Sequence, residues 1–445
     1  MKPLPRTINR NINKNHKKVS ERYILSMDIC IIGSGLSGLS AAYALLKKSD
    51  KFNITILEKK DVIGGCLSSS RAGRGYIEDF YHHCFSGDTE LFELSKELGI
   101  YDSLEWLSGS TGYYVNGKIY PLTTPAEILK YPHLSFIDKF RLGMFVLGAK
   151  KYDVGKYEDV GAVEFAIEKC GKSAYKSFFE PLLRGKFGDA KDKVSAAWLI
   201  SRVAIRSNRK TGGERLGYFR DGYNSLIESL AAKLKERGCA INTDTPVTSL
   251  KYDGDNKKWI VNGVEYDAVI STIDPRKLTE IGGPKIIDGE IHFQGAACMS
   301  IGLKREVTDG IYWVNMRDDA PYAAVIGHTN FVPRERYGED IVYLASYFCK
   351  KPDGNLEERM LEDFLKRFNL GRDEINWYHL TIEESAGPIY TKGYRRLIPP
   401  AGREDCAGFY CAGMFSEENY PERSMEGSIK AGYTAAEKLI NDYHE

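Results

Sequence analysis

Three glycines, one acid and a histidine pair stand where this 445-residue chain can do chemistry: Gly33, Gly35, Gly38, Glu58, His82 and His83. In Gly33-x-Gly35-x-x-Gly38 the first glycine permits a tight turn, the second lets backbone approach a pyrophosphate, and the third lets a helix pack close to a strand. A phosphate then meets free N–H groups at the helix N-terminus, in a loop completed by Ser34, Leu36 and Ser37. Glu58 follows twenty residues past Gly38, the distance at which a carboxylate meets the ribose hydroxyls of a bound dinucleotide. The histidines lie in Glu78-Asp79-Phe80-Tyr81-His82-His83-Cys84-Phe85. Imidazole titrates near neutrality, so either can move a proton in a redox step, or both can simply pack and hydrogen-bond. Farther on, Arg184, Lys186 and Arg215 are basic groups suited to a phosphate or carboxylate on a substrate, or to a solvated charged face. No metal-ligand spacing is present.

These residues require a strand, a turn and a helix around them. Asp28 to Ile32 is a short apolar, β-branched run, Leu39 to Lys48 reads as a helix, and Asn53 to Glu58 as a second strand ending in the acid. The pattern predicts an α/β protein whose dinucleotide-binding fold is discontinuous, with a first part at 27–87, a second at 221–290 and a third at 401–445. Between them, 88–220 is expected to be a mainly helical insertion over the substrate, and 291–400 a mixed-sheet substrate domain. The expected strands there are Ala296 to Leu303, Tyr322 to Gly327 and Ile341 to Tyr347. A helix over Leu356 to Phe368 follows, and a last strand and helix close the chain. Leu134 to Leu147 is apolar and amphipathic, which suits a core helix, the mouth of a lipid-binding tunnel or contact with a membrane surface. Residues 1–26 carry seven Lys/Arg against Glu21 and are expected to form a disordered basic tail, with Met27 as a candidate translation start.

A formal net charge of +1 gives no global field to draw in nucleic acid, so the expected partner is a small organic molecule, lipid-like or phosphorylated. Nine scattered cysteines with no C-x-x-C pair suggest reduced thiols and a cytoplasmic setting. No run approaches the roughly 20 apolar residues that a membrane span requires.

Six residues beyond Glu58, Gly64-Gly65-Cys66-Leu67-Ser68-Ser69 resembles the G-G-R-x-x-S/T segment of the flavoprotein superfamily that contains amine oxidases, protoporphyrinogen oxidases, phytoene desaturases and UDP-galactopyranose mutase. Cys66 replaces the usual arginine, which leaves backbone N–H groups to meet the phosphate. Gly408-Phe409-Tyr410-Cys411-Ala412-Gly413 and Met425-Glu426-Gly427-Ser428-Ile429-Lys430-Ala431-Gly432 are similar to the same superfamily's closing motif, with Met414 where an acid is common. The resemblance implies a GR2-type Rossmann-like fold holding FAD without a covalent bond. Its expected contacts are Gly33, Ser34, Gly35, Leu36, Ser37, Gly38, Glu58, Lys59, Gly65, Cys66, Leu67, Ser68, Val247, Thr272, Gly413, Met414, Met425, Glu426, Gly427 and Ser428. It also implies that His82 and His83 run toward the flavin ring and that Tyr390 and Tyr394 line the pocket, unless these tyrosines only pack. With one dinucleotide fingerprint in the chain, electrons leave through oxygen, a quinone or a transiently docking nicotinamide. The implied activity is oxidation of a C–C or C–N bond by hydride transfer. The alternative is a redox-neutral UDP-sugar mutase, echoed by His83-Cys84-Phe85.

Overall fold

The computed structural model describes residues 26–206, 214–352 and 354–444. Apart from Ser26, the segment read as a basic tail lies outside the described residues. Strand β1 (Met27–Ile32) leads through the glycine turn into helix α1 (Leu36–Lys48) and back to strand β2 (Phe52–Leu57). β1 and β2 are parallel in register from Met27 against Phe52 to Ile32 against Leu57. Helix α2 (Asn224–Glu236), strand β3 (Ala240–Asn242), strand β4 (Ala268–Ser271), strand β5 (Phe409–Cys411) and helix α3 (Met425–His444) complete this unit.

The sheet runs β5-β4-β1-β2-β3, parallel throughout. The central strands β1 and β4 are apolar over Ile29–Ile32 and Ala268–Ile270 because both faces are covered, whereas β2 and β3 carry exposed residues such as Asn53 and Asn242. Ile29, Ile31, Ile54 and Ile56 pack in one core with α1, α2 and α3. Cys30, Ile32, Leu57 and Val269 belong to a second core with Trp259 and Val261, which come from a small antiparallel sheet of Leu250–Asp253, Lys258–Val261 and Val264–Tyr266. Helix α3 lies so close to α1 that a Cβ on Gly432 would stand 2.4 Å from the Ser37 carbonyl oxygen.

A seven-stranded mixed sheet faces this unit in the order Ile375–Pro388, Phe293–Leu303, Asp340–Phe348, Ala324–Gly327, Trp313–Met316, Thr111–Val115 and Lys118–Pro121. On one side Met299, Ile301 and Leu303 pack against Met360, Leu361 and Phe364 of the helix Leu356–Phe368. Ala296 and Cys298 point to the other side.

Two features lie outside the sequence expectations. Within the stretch 88–220, read as mainly helical, Leu104–Gly109 pairs with Glu214–Phe219, and Thr111–Val115 with Lys118–Pro121 forms a hairpin that joins the mixed sheet. The hairpin has a local signal, since Asn116 (φ 51°) and Gly117 (φ 79°) make a two-residue Asn-Gly turn, the sequence that left-handed backbone at both positions favours. The 14-residue strand Ile375–Pro388 was also unforeseen. It is an edge strand, half exposed over most of its length, and edge strands carry exposed charges such as Glu384 that blunt the apolar alternation.

The helices Pro125–Lys130, Phe136–Gly148, Ala162–Cys170, Glu180–Phe187 and Ala196–Arg206 form a cluster beside the mixed sheet. No helix among the described residues is long and apolar enough to cross a membrane. All nine cysteines are free thiols.

Candidate active site

A cavity of about 620 Å³ opens between the carboxyl ends of β1, β2 and β4 and the mixed sheet, the position that open α/β sheets reserve for ligands. Small side chains make its floor: Ala296, Cys298, Ala324 and Ala345 come from three mixed-sheet strands, and each leaves space that a larger residue would fill.

One end is the glycine turn. Gly33 has φ +102°, and a Cβ on Gly38 would lie 2.1 Å from the Gly33 carbonyl oxygen, so strand and helix can approach this closely only without side chains. Gly64 N–H donates to the Ser34 carbonyl at 3.0 Å, and a Cβ on Gly65 would lie 3.1 Å from Gly35 Cα. Two glycine segments thereby form one bare backbone cradle. The N-cap of α1 is Gly35, with no side-chain cap and no acid in the first turn, so the positive end of the helix faces the cavity without a competing anion.

Glu58 is buried at the end of β2, where its Oε2 accepts from Ser34 N–H at 2.9 Å and Ser34 Oγ at 2.8 Å, and its Oε1 from Lys60 N–H at 3.0 Å. Those bonds fix the carboxylate on the cavity wall and leave lone pairs for sugar hydroxyls. Ser34 thus positions Glu58, and is not itself on the wall.

The other end is aromatic and histidine-rich. His82 Nδ1 lies 2.6 Å from the Phe80 carbonyl oxygen. A carbonyl only accepts, so Nδ1 carries the proton and Nε2 is the free basic nitrogen. Burial, with Arg423 nearby, lowers the His82 pKa to about 4 despite that bond to Phe80, and the ring is neutral at neutral pH. His83 also lines the cavity and its Nδ1 meets Tyr312 Oη at 3.1 Å. Tyr81 Oη pairs with Tyr347 Oη at 2.7 Å, and the Tyr81 ring meets Trp313 edge-on. Lys186 Nζ sits over the rings of Trp198 and Tyr347, and Arg202 pairs with Glu422 at 3.1 Å.

Of the expected site residues, the cavity gathers Gly33, Gly35, Leu36, Ser37, Glu58, Lys59, Gly65, Cys66, Leu67, His82, His83, Lys186, Val247, Thr272, Gly413, Met414, Met425 and Ser428. Others stand elsewhere. Ser68 Oγ donates to Asp79. Glu426 accepts from Thr89 Oγ1 and from the N–H groups of Glu90 and Leu91 at 3.1 and 3.0 Å, capping the helix Thr89–Glu97. Gly427 is a packing glycine, whose Cβ would lie 2.5 Å from the Glu418 carbonyl oxygen. Tyr390 donates to the carbonyls of Met414 and Asn419 and so holds the turn after β5. Tyr394 stacks on Tyr420, Arg184 donates to the Arg317 carbonyl, and Arg215 donates to the Trp106 carbonyl on the exposed side of its strand.

Sequence reasoning missed Arg202, Trp198, Tyr347 and Arg423, all on the wall. Arg423 bears on the missing arginine of the glycine-pair segment. Burial and Glu383 push the Cys66 thiol up to about 11, while Arg423, Lys60 and Lys59 pull it down, so cationic side chains do surround Cys66. A signal for Arg423 existed in its place two residues before α3.

The profile of a family described as flavin containing amine oxidoreductase matches residues 36–440. Coproporphyrinogen III oxidase of Staphylococcus aureus is 25% identical over 285 residues, covering 56% of this chain and 60% of that protein, less than two thirds of its length. In fold, the chain is similar to a protoporphyrinogen oxidase candidate from Exiguobacterium sp. 255-15, at a TM-score of 0.75 and 18% identity over 94% of this chain and 99% of that one. It is also similar to reduced UDP-galactopyranose mutase, at a TM-score of 0.71 and 17% identity over 94% of each chain.

Proposed function

Because the chain belongs to the flavin containing amine oxidoreductase family, an FAD-dependent oxidoreductase family, we propose that it dehydrogenates a C–C or C–N bond of an organic substrate in the manner of protoporphyrinogen oxidases and phytoene desaturases. FAD fits the cavity: the paired glycine segments leave a cradle that a Cβ would crowd, the first turn of α1 lacks a side-chain cap, and Glu58 is fixed on the wall by Ser34 at the fingerprint's spacing. When bound, FAD supplies a two-electron acceptor.

The remaining chemistry belongs to side chains. The observation that carries the reading is His82, a neutral imidazole with its Nδ1 proton anchored on Phe80 and its Nε2 available on the cavity wall. Such a nitrogen accepts the proton that a substrate releases as its hydride departs. Tyr81, Trp313, Tyr347 and Trp198 offer an aromatic wall for a conjugated or ring-bearing substrate. Lys186 and Arg202 stand beside it as anchors for an acidic substituent. Two of the three similar proteins named above carry the names of porphyrinogen oxidases, which agree with a substrate of that shape and charge.

The test is to mix the purified yellow protein anaerobically with porphyrinogens, partly saturated polyenes and amines and to follow flavin absorbance. Bleaching by one class supports dehydrogenation. Absence of bleaching by any, together with turnover of a UDP-sugar only after dithionite reduction, would replace this reading with a redox-neutral isomerase.

A further inference from the structure

The helix Phe136–Gly148 was open to three readings from sequence, and the structure places it at the surface with two apolar faces. Leu142 and Phe145 are buried, and the Phe145 ring meets Phe165 and Phe179 edge-on. The opposite face carries Phe136, Ile137, Phe140, Met144 and Leu147, which are 80%, 61%, 65%, 57% and 80% exposed. At about 100° per residue these five fall within about 100° of arc, a continuous stripe. Leu129, also exposed, is tied to the same patch, since Lys139 Nζ donates to its carbonyl at 2.7 Å. Proteins that work free in water seldom leave so contiguous an apolar patch uncovered.

The charges around the stripe identify what covers it. Between Leu129 and Lys151 the chain holds Lys130, Lys139, Arg141, Lys150 and Lys151, and its sole acid is Asp138. Asp138 is buried, with its carboxylate turned to the Ser135 N–H at the helix start. Lys130, Arg141, Lys150 and Lys151 are exposed. The net charge of the whole chain is only +1, so this is a local basic rim. A two-fold contact between copies through this face would set one basic rim against another. Anionic headgroups satisfy the rim while the acyl boundary takes the stripe.

We propose that the face formed by Leu129 and the outer side of Phe136–Gly148 docks on an anionic lipid bilayer, with the helix axis lying in the interface. The same helical cluster meets the cavity on its inner side: Phe179, against which Phe145 packs, immediately precedes the helix Glu180–Phe187, whose Pro181, Leu182, Gly185 and Lys186 line the cavity. Docking therefore sets the roof of the cavity against the bilayer.

Flotation of the flavin-loaded full chain with vesicles of phosphatidylcholine alone, or mixed with phosphatidylglycerol, is the test. Binding is expected on the anionic vesicles, falling with added salt, and about tenfold weaker on phosphatidylcholine alone. The variant Phe136→Ser/Phe140→Ser/Leu147→Ser is expected to lose at least about tenfold in partitioning with unchanged flavin absorbance and thermal midpoint. Should it fail to fold, the rim variant Lys130→Gln/Lys151→Gln decides, by weakening binding to anionic vesicles alone. The proposal is overturned by failure to float with anionic vesicles or by flotation that neither variant changes. It is overturned equally if sedimentation shows a dimer that the face variant dissolves, which makes the patch a contact between copies.

Discussion

His82 and Glu58 give the site its two ends, and each supports a separate expectation. Replacing Glu58 by alanine removes a buried acceptor that Ser34 and Lys60 hold in place. Hydrogen bonds to a charged acceptor contribute about 1.5–3 kcal/mol, so flavin is expected to dissociate about ten- to a hundredfold more readily. Absorbance retained after gel filtration measures this. For His82→Phe, flavin content is expected to hold while kcat/KM falls about 10²- to 10⁴-fold, the usual worth of a positioned base. With its pKa lowered to about 4 from an ordinary 6.5, His82 stays unprotonated through the neutral range, and the acid limb of kcat/KM is expected near pH 4. Stability follows the same group: as pH falls from 6.5 toward 4 the unfolded chain takes up a proton that the native ring refuses. The native state therefore loses stability across that window, and the loss is complete below it. His82→Phe is expected to flatten that part of a denaturation-versus-pH series.

Among the elements, the strand-turn-helix of β1 and α1 was readable because everything that defines it lies within thirty-odd consecutive residues, from Asp28 to Glu58. Glu426 shows the opposite case. It sits inside a motif that resembles a cofactor segment, yet its carboxylate caps a helix whose N–H groups come from Glu90 and Leu91, more than three hundred positions earlier, and no local spacing encodes that. Glu426→Ala is expected to cost about 1–2 kcal/mol of stability by loss of this cap while flavin stays bound, read by thermal unfolding alongside flavin absorbance. The opposite result, intact stability with lost flavin, would return Glu426 to the cofactor. Tyr347, Trp198 and Arg202 were unreadable for the same reason, since the Tyr81–Tyr347 contact joins residues 266 apart. The outer helix was half readable: its sequence declares an apolar character, but which apolar face turns inward is decided by Phe165 and Phe179.

In the whole molecule, the start of helix α2 and the mixed sheet meet around Glu78. Its buried carboxyl accepts from Tyr223 N–H at 2.6 Å and Tyr218 Oη at 2.9 Å, while Tyr343 of the mixed sheet donates to its backbone carbonyl at 3.0 Å. Burial raises this carboxyl from an ordinary 4.5 to about 7, against the pull of the Tyr223 N–H. Between those values the native chain keeps a proton that the unfolded chain has released, so stability declines as pH rises through the window, and the loss is complete above about 7. Glu78→Gln keeps the shape and removes the titration; its unfolding midpoint is expected to vary less than the parent's across that window. The parallel sheet has a different kind of dependence. Its outer strand β5 and the helix α3 that seals α1 both come from the C-terminal end of the chain. During synthesis, the glycine cradle at Gly33–Gly38 must therefore wait, exposed and unfinished, until Phe409–Cys411 and Met425–His444 have left the ribosome. Nascent chains arrested before Phe409 should be the species that chaperones and proteases meet without flavin.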